Sequence, residues 1–445
     1  MTSETTIQTS ARDRLRAVFG NLGWLLASNA VMAVLSLVYL GIATRTLGLA
    51  DFGRFALITG AAQTVSILVS FETWKIIVNY GVHHEANGKH EATAQLLKAA
   101  TVVEFVSGIT GIAAILLLFA LWPRPFGLAP DVAPYALGYA IVQLATLRQT
   151  PIGILRLRDR FNLAALADSV QPLVRLIGAL AALAFAPSLL GFLCAWAAAE
   201  ALTFLAYWIL VARTEDLRTL LKAPLSVEQV RRRNPGIIGF LFSTNLQASL
   251  GLASRQAPVL FVGGYAGPAA AGAFRLALQL ANALSKISIL LTRAAFPEIV
   301  RSIRAASREA FKRGILRIVA ACLCAAAVVM IFVALLGREL LELVGGKAFG
   351  TGYIYLLWLA GAGAIELAAT SFEPILLSVQ RAVTATLARG SAVVIQFAAM
   401  FTLMPTMGAL GASVSVFAGS MIAGMLLGLA LYRYAGRHQL AEAAV

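Results

Sequence analysis

The stretch FRLALQLANALSKISILLTRAAFP, residues 274–297, is apolar over a spanning length yet carries Arg275, Gln279, Asn282, Lys286 and Arg293 at spacings of four, three, four and seven. At 3.6 residues per turn these five share one helical face. From Arg275 to Arg293 the stripe runs about 27 Å at the α-helical rise, close to the thickness of a hydrocarbon core. A charge at mid-membrane costs about 2.5 to 3.5 kcal/mol on insertion scales, so this face calls for protein or water beside it, not lipid. The cargo implied is anionic and polar.

The rest of the chain agrees with a membrane setting. Mean hydropathy is +0.81, apolar residues make up 59% of the 445 and charged residues 13%. Apolar stretches of spanning length predict an all-α polytopic protein of twelve helices, near 22–44, 55–80, 99–121, 134–155, 169–186, 189–211, 236–262, 274–297, 314–337, 353–378, 385–404 and 410–432. With both termini cytoplasmic, the inner segments hold 23 of the 36 Lys and Arg, whereas the outer loops hold only Arg45, Arg54, Arg124, Arg275, Arg338 and Lys347. Seven remain within spans: Lys75, Arg148, Arg175, Arg255, Lys286, Arg293 and Arg317. The asymmetry sets the orientation by the positive-inside rule. It also accounts for most of the +15 net charge as orientation and contact with anionic lipid, which argues against a nucleic-acid partner.

Residues 1–20, with Arg12, Arg14 and Arg16 and no small-residue cleavage pattern, read as a retained cytoplasmic tail. Cys194, Cys322 and Cys324 all fall within spans and imply no disulfide framework. The expected organisation is a six-helix lobe at 21–211, a basic cytoplasmic linker at 212–235, a second six-helix lobe at 236–432 and a tail at 433–445. An offset of 219 residues brings the lobes into partial register: Gly48 and Gly53 fall on Gly267 and Gly272, Phe55 and Leu57 on Phe274 and Leu276, and Gln63 and Ser66 on Asn282 and Ser285. Six helices per lobe give both the same orientation, as in carriers that bind substrate between parallel repeats and rock one against the other.

Lys286 is the sharpest candidate for substrate contact, because it lies too deep in its helix to snorkel to either surface. Asn245, Ser249 and Gln256 share a face of the seventh helix beside Arg255, and Pro258 favours a bend there. In the first lobe, Arg148 either lines a cavity or reaches the cytoplasm, Arg175 reads as an anchor, and Glu72 and Lys75 pair three residues apart. The tenth helix supplies Glu366, Thr370 and Glu373 on one face. A carboxyl as deep as Glu366 either neutralises a buried cation or carries a coupling proton. The sequence HHEANGKHE at 83–91 lacks the HExxH order of a metalloprotease and reads as a solvated loop, with no metal site. Gly424 and Gly428 read as a packing contact.

Twelve spans in two related halves, RTLGLADFGRFAL at 45–57 and AFPEIVR at 295–301 resemble the polysaccharide transporters of the multidrug/oligosaccharidyl-lipid/polysaccharide exporter superfamily. The resemblance covers the whole chain. It implies a flippase of the bacterial inner membrane that moves an undecaprenyl-diphosphate-linked oligosaccharide outward for O-antigen, capsule or exopolysaccharide assembly, beside a polysaccharide polymerase and other assembly proteins. No cofactor is implied, and the coupling ion, H+ or Na+, is left open. The lipid II flippases of the same superfamily would need two further helices. On the residues, a diphosphate suits Lys286 and Arg255, with Arg148 and Arg293 as further cations, while sugars suit Gln279, Asn282 and Asn245. A multidrug antiporter of the same superfamily would need an acidic cavity to attract cationic drugs. A membrane glycan ligase or polymerase would be expected to carry catalytic residues in a substantial outer loop, and the longest here, near 338–352, is short.

Overall fold

The computed structural model describes residues 11–121, 130–304, 308–378 and 382–442, and among them every regular element is helical. In the first half these are α1 (Ala11–Val69), α2 (Thr73–Ala86), α3 (His90–Leu121), α4 (Ala133–Ala145), α5 (Gln149–Leu157), α6 (Phe161–Phe185) and α7 (Leu189–Ala212). Two short helices, α8 (Glu215–Lys222) and α9 (Val227–Arg233), occupy the linker. The second half comprises α10 (Ile237–Arg304), α11 (Arg308–Gly345), α12 (Tyr353–Ser378), α13 (Ala382–Met407) and α14 (Ala409–Glu442), with a 3-10 turn at Lys347–Gly352.

Both α1 and α10 are two crossings joined at a glycine. Gly48 has φ 71° and ψ −177°, and Gly267, 219 residues later, has φ 82° and ψ 173°. This region is essentially closed to residues with a Cβ, so the repeated glycine sets the repeated turn. Counting these turns, and joining the interrupted segments described below, gives twelve helical crossings among the described residues, the number the sequence predicts. Large apolar side chains on the outside, such as Phe105, Ile177, Phe185, Leu335 and Val394, form a surface suited to lipid and not to water.

The second repeated pair, Gly53 and Gly272, explains how the halves meet. A Cβ built on Gly53 would lie 1.7 Å from the Pro268 carbonyl oxygen, and one on Gly272 would lie 2.4 Å from that of Leu49. The two backbones therefore touch where α1 crosses α10. Around this contact one hydrophobic core runs through both halves, from Tyr39, Phe52 and Phe55 to Phe274, Phe349 and Leu356. Phe52 meets Phe349 edge-on at 5.8 Å between centroids. Thr44 Oγ1 donates to the Val344 carbonyl at 3.2 Å, and the Arg45 guanidinium donates to the carbonyls of Leu343 and Val344, covering the end of α11.

Away from this turn side, toward the linker, the core divides. Ile77, Leu97, Ile154 and Tyr207 form a cluster within the first half, and Phe372, Leu376, Leu427 and Leu431 form one within the second. A small bridging cluster remains, in which Ile76 and Leu96 pack with Val230, Ile237 and Phe240. Tyr80 stacks edge-on against Phe240 and donates to the Pro235 carbonyl. The halves are thus fused on the turn side and largely separate on the linker side.

Two expected helices are not continuous. The second crossing, expected at 55–80, ends its first piece at Val69 and resumes at Thr73; the fourth, expected at 134–155, stops at Ala145 and resumes at Gln149. The cause in the fourth is tertiary: the Glu104 carboxylate of α3 accepts the backbone N–H of Gln149 at 2.6 Å and of Thr150 at 2.7 Å. It satisfies donors whose burial unpaired would cost about 1 to 3 kcal/mol each. Pro151 lacks an N–H and suits the first turn of α5. In the second crossing the break is met from the other half, where Asn245 Nδ2 donates to the Ser70 carbonyl at 2.8 Å. The breaks lie side by side, with Thr73 Oγ1 and Thr150 Oγ1 3.5 Å apart.

Candidate functional site

The polar side chains held among these helices fall into three groups. The first lies inside the first half. Glu200 of α7, almost fully buried, receives Arg148 and Arg175, each at 2.8 Å, and the Gln171 amide. The Arg175 guanidinium also lies over the Trp196 ring, 5.5 Å from its centroid. This corrects two expectations: Arg148 is committed to a carboxylate instead of lining a cavity, and Arg175 is paired in the interior instead of anchoring at a surface. The physical reason is Glu200, whose burial is tolerable only with a charge partner. Glu72 sits at the break in the second crossing and forms an ion pair with Lys75.

The second group crosses the seam. Gln63 Oε1 accepts from Gln256 Nε2 at 3.0 Å, and Gln256 Oε1 accepts from Arg275 at 2.8 Å, linking the second crossing of one half to both crossings of α10. Asn245 belongs to the same seam through its bond to Ser70. Here Asn245 satisfies backbone, a role different from the sugar contact expected of it.

The third group lines a cavity of about 270 Å³. Its walls are α10 (Gln247, Ser254, Arg255), α12 (Glu366), α13 (Thr386, Arg389, Gln396) and α14 (Ser420), all of the second half. Arg389 approaches Glu366 to 3.2 Å and Arg255 to 3.9 Å. Arg255 remains 75% exposed, against 26% for Arg389 and 28% for Glu366. Ser254 and Gln396 exchange two hydrogen bonds of 2.8 Å that hold α10 against α13. Among the described residues, the cations beside Glu366 belong to its own half. Gln279 is half-buried and Asn282 exposed, and neither lines this cavity. The side chains of Lys286, Arg293 and Glu373 lie outside the described residues.

Arg389 is the residue that sequence reasoning missed. It lies near the start of the expected eleventh span, and the charge count above assigns it to the inner loop before that span, as a long cation taken to reach the surface. Its signal was the acidic residue on the neighbouring helix, which needed a partner. Glu104 was missed for a related reason: a carboxyl that caps a broken helix looks, in sequence, like any other acid in a span. Among the described residues no group of three or more His, Cys, Asp or Glu is gathered that could hold a metal ion.

Twelve helical crossings in two repeated halves are the architecture of a multi-pass membrane transporter. The chain belongs to the polysaccharide biosynthesis protein family, which it matches over residues 18–303, within the multidrug/oligosaccharidyl-lipid/polysaccharide exporter superfamily. It is 29% identical over 342 residues to the inner membrane protein YghQ of Escherichia coli K12, covering 76% of this chain and 95% of that one. Among solved structures it is similar in fold to a multidrug resistance MATE family transporter in its inward-facing conformation, with a TM-score of 0.62 at 15% identity over 92% of this chain and 98% of the other. A MOP superfamily transporter from Pyrococcus furiosus, described as having a binding pocket of reverse polarity, matches with a TM-score of 0.52 at 18% identity over 92% and 94% of the two chains.

Proposed function

We propose that this transporter is a flippase that moves an undecaprenyl-diphosphate-linked oligosaccharide across the bacterial inner membrane, for O-antigen, capsule or exopolysaccharide assembly, with both termini and the linker on the cytoplasmic side. The observation that carries the reading is Arg255, which lines the cavity 3.9 Å from Glu366 with three-quarters of its side chain exposed. An exposed cation at membrane depth suits a diphosphate and opposes a cationic drug. Family membership and the inner-membrane relative support the same cargo and compartment. Because the halves are fused on the turn side and separate toward the linker, the headgroup would enter from the cytoplasmic leaflet while its polyprenyl tail stays in lipid. Alternation would then part the Gly53–Gly272 contact.

The test is a deletion strain carrying plasmid-borne variants. Loss of the gene should abolish the surface glycan and leave its lipid-linked precursor on the inner leaflet, and the wild-type chain should restore export. Arg255→Ala and Lys286→Ala should export poorly while inserting at normal abundance. Normal surface glycan in both variants, or in the deletion strain itself, would remove the reading.

A further inference from the structure

We propose that the linker and the start of α3 form a binding site for one anionic phospholipid, its phosphate against Arg218 and Lys222 and its acyl chains passing Leu221 onto the outward face of α3. The site lies outside the cavity of the second half and takes a lipid of the bilayer itself, so it does not depend on the cargo.

Packing places α8 at the edge of the membrane. Leu217 and Leu220 enter the cluster of Ile77, Leu97, Tyr207 and Val211, and Lys98 of α3 donates to the Leu221 carbonyl at 3.2 Å. The end of α8 is thereby fixed beside Lys98. From there Lys98, Val102, Phe105 and Ile109 follow one another along one face of α3 at spacings of four, three and four. Phe105 and Ile109 are 70% and 55% exposed, as suits side chains in contact with lipid. Leu221, 62% exposed, therefore stands where the lipid-facing surface of α3 ends. Leu225 and Val227 are exposed as well, so the apolar edge continues along the linker. At a membrane surface such an edge, flanked by cations, is an amphipathic segment lying among the headgroups.

Beside this edge is a cleft of about 470 Å³, lined by His90, Glu91 and Ala94 of α3 and by Arg218, Lys222 and Pro224 of the linker. Arg218 and Lys222 are both exposed. The acid in the wall, Glu91, accepts from Gln95 at 3.1 Å and pairs with Arg233 at 3.5 Å, so its charge is met from within the protein. Glu215 and Asp216 open α8, at the opposite end of the helix from Lys222. Counting them, residues 212–235 carry six basic and three acidic side chains, a surplus that favours an anion. A soluble phosphate would use the cations and leave Leu221 bare; a neutral acyl lipid would cover Leu221 and leave the cations unused. A lipid phosphate answers both features.

The linker is also tied to the first half. Gln95 donates to Gln229 of α9 at 3.0 Å, and His84 of α2 lies 2.7 Å from Asn234, just before Pro235 and Gly236 lead into α10. A lipid seated in the cleft is thus a ligand of the first half alone, and it holds that half to the membrane surface.

The experiment adds dioleoylphosphatidylglycerol or dioleoylphosphatidylcholine to the full chain in detergent and reads bound lipid by native mass spectrometry. The first phosphatidylglycerol should bind about tenfold more tightly than phosphatidylcholine. Arg218→Gln with Lys222→Gln should weaken it about tenfold, whereas Arg231→Gln with Arg232→Gln, an equal loss of charge outside the cleft, should change it by less than about twofold. Arg218→Lys with Lys222→Arg should retain binding, and Leu221→Gln should weaken it with both cations in place. A phosphatidylglycerol carrying a diazirine in its acyl chain should label the peptides that contain Leu221 and Phe105. Melting of each variant in lipid-free detergent separates misfolding from lost affinity. Equal weakening by the two double neutralisations would reduce the site to diffuse surface attraction and overturn the proposal. So would displacement of the lipid by an equal concentration of glycerol 3-phosphate, or labelling spread evenly over the lipid-facing surface. These measurements contain no glycan, so failure of the flippase reading would leave them unchanged.

Discussion

Replacing Gly53 by alanine tests how the two halves close. The added Cβ would lie 1.7 Å from the Pro268 carbonyl oxygen, and ordinary contact begins at 3.4 Å, so the backbones must separate by about 1.7 Å. At Gly272 the Cβ would lie 2.4 Å from the Leu49 carbonyl oxygen, and about 1.0 Å of separation suffices. In both cases the obstacle is backbone, which cannot rotate away as a side chain can. Overpacking costs about 1 to 3 kcal/mol, and the upper end applies where nothing yields, giving a shift of roughly 150-fold away from the turn-side-closed form for Gly53→Ala and less for Gly272→Ala. Gly60→Ala is the control, because its Cβ would meet the Gln256 side chain at an ordinary 3.4 Å. The assay introduces Arg45→Cys and Leu343→Cys, whose native side chain and carbonyl meet across the seam, into a chain whose three cysteines are replaced by serine. A short bifunctional maleimide then reports closure. Cross-linking should fall sharply in Gly53→Ala, partly in Gly272→Ala and not in Gly60→Ala. Equal yields in all three would refute the claim that closure depends on bare backbone at this crossing.

Glu200→Gln removes the carboxylate shared by Arg148 and Arg175 and leaves two interior cations with an amide; stability should fall by about 3 to 5 kcal/mol, seen as a large drop in melting temperature with little effect on headgroup affinity. Glu104→Ala deprives the Gln149 and Thr150 amides of their acceptor, so hydrogen exchange at these two positions should accelerate while the middle of α3 stays protected. An unaltered exchange pattern would mean that α5 starts where it does for reasons of its own.

Much of the fold was legible in the sequence because membrane crossings are long apolar runs and the turns within α1 and α10 are marked by the same glycine pair. Gly48 and Gly267 do share one unusual backbone conformation, so a match of letters corresponded to a match of dihedrals. The interruptions at Ser70–Glu72 and Thr146–Arg148 were not legible, since hydropathy does not register a backbone donor satisfied by a distant side chain. The same limit applies to the candidate site. Depth along a helix singled out Arg255 and Glu366, which do meet, but it could not tell that Arg148 faces Glu200 or that Arg389 completes the cavity. Periodicity gives the face of a helix, and only packing gives its neighbour.

The paired interruptions in the first half have a counterpart in what the second half does at the same register. Leu147, in the gap between α4 and α5, corresponds through the 219-residue offset to Glu366, where α12 runs on unbroken. At that depth the first half interrupts its helix, and the second keeps its helix continuous and carries a charge. A joint and a receptor make opposite demands on backbone stiffness: the first needs freed peptide groups that can change partners, the second needs side chains held still. Two repeated halves allow each demand to be met separately. On the function proposed above, the near-symmetric halves would divide the labour, with bending in the half that precedes the linker and recognition in the half that follows it.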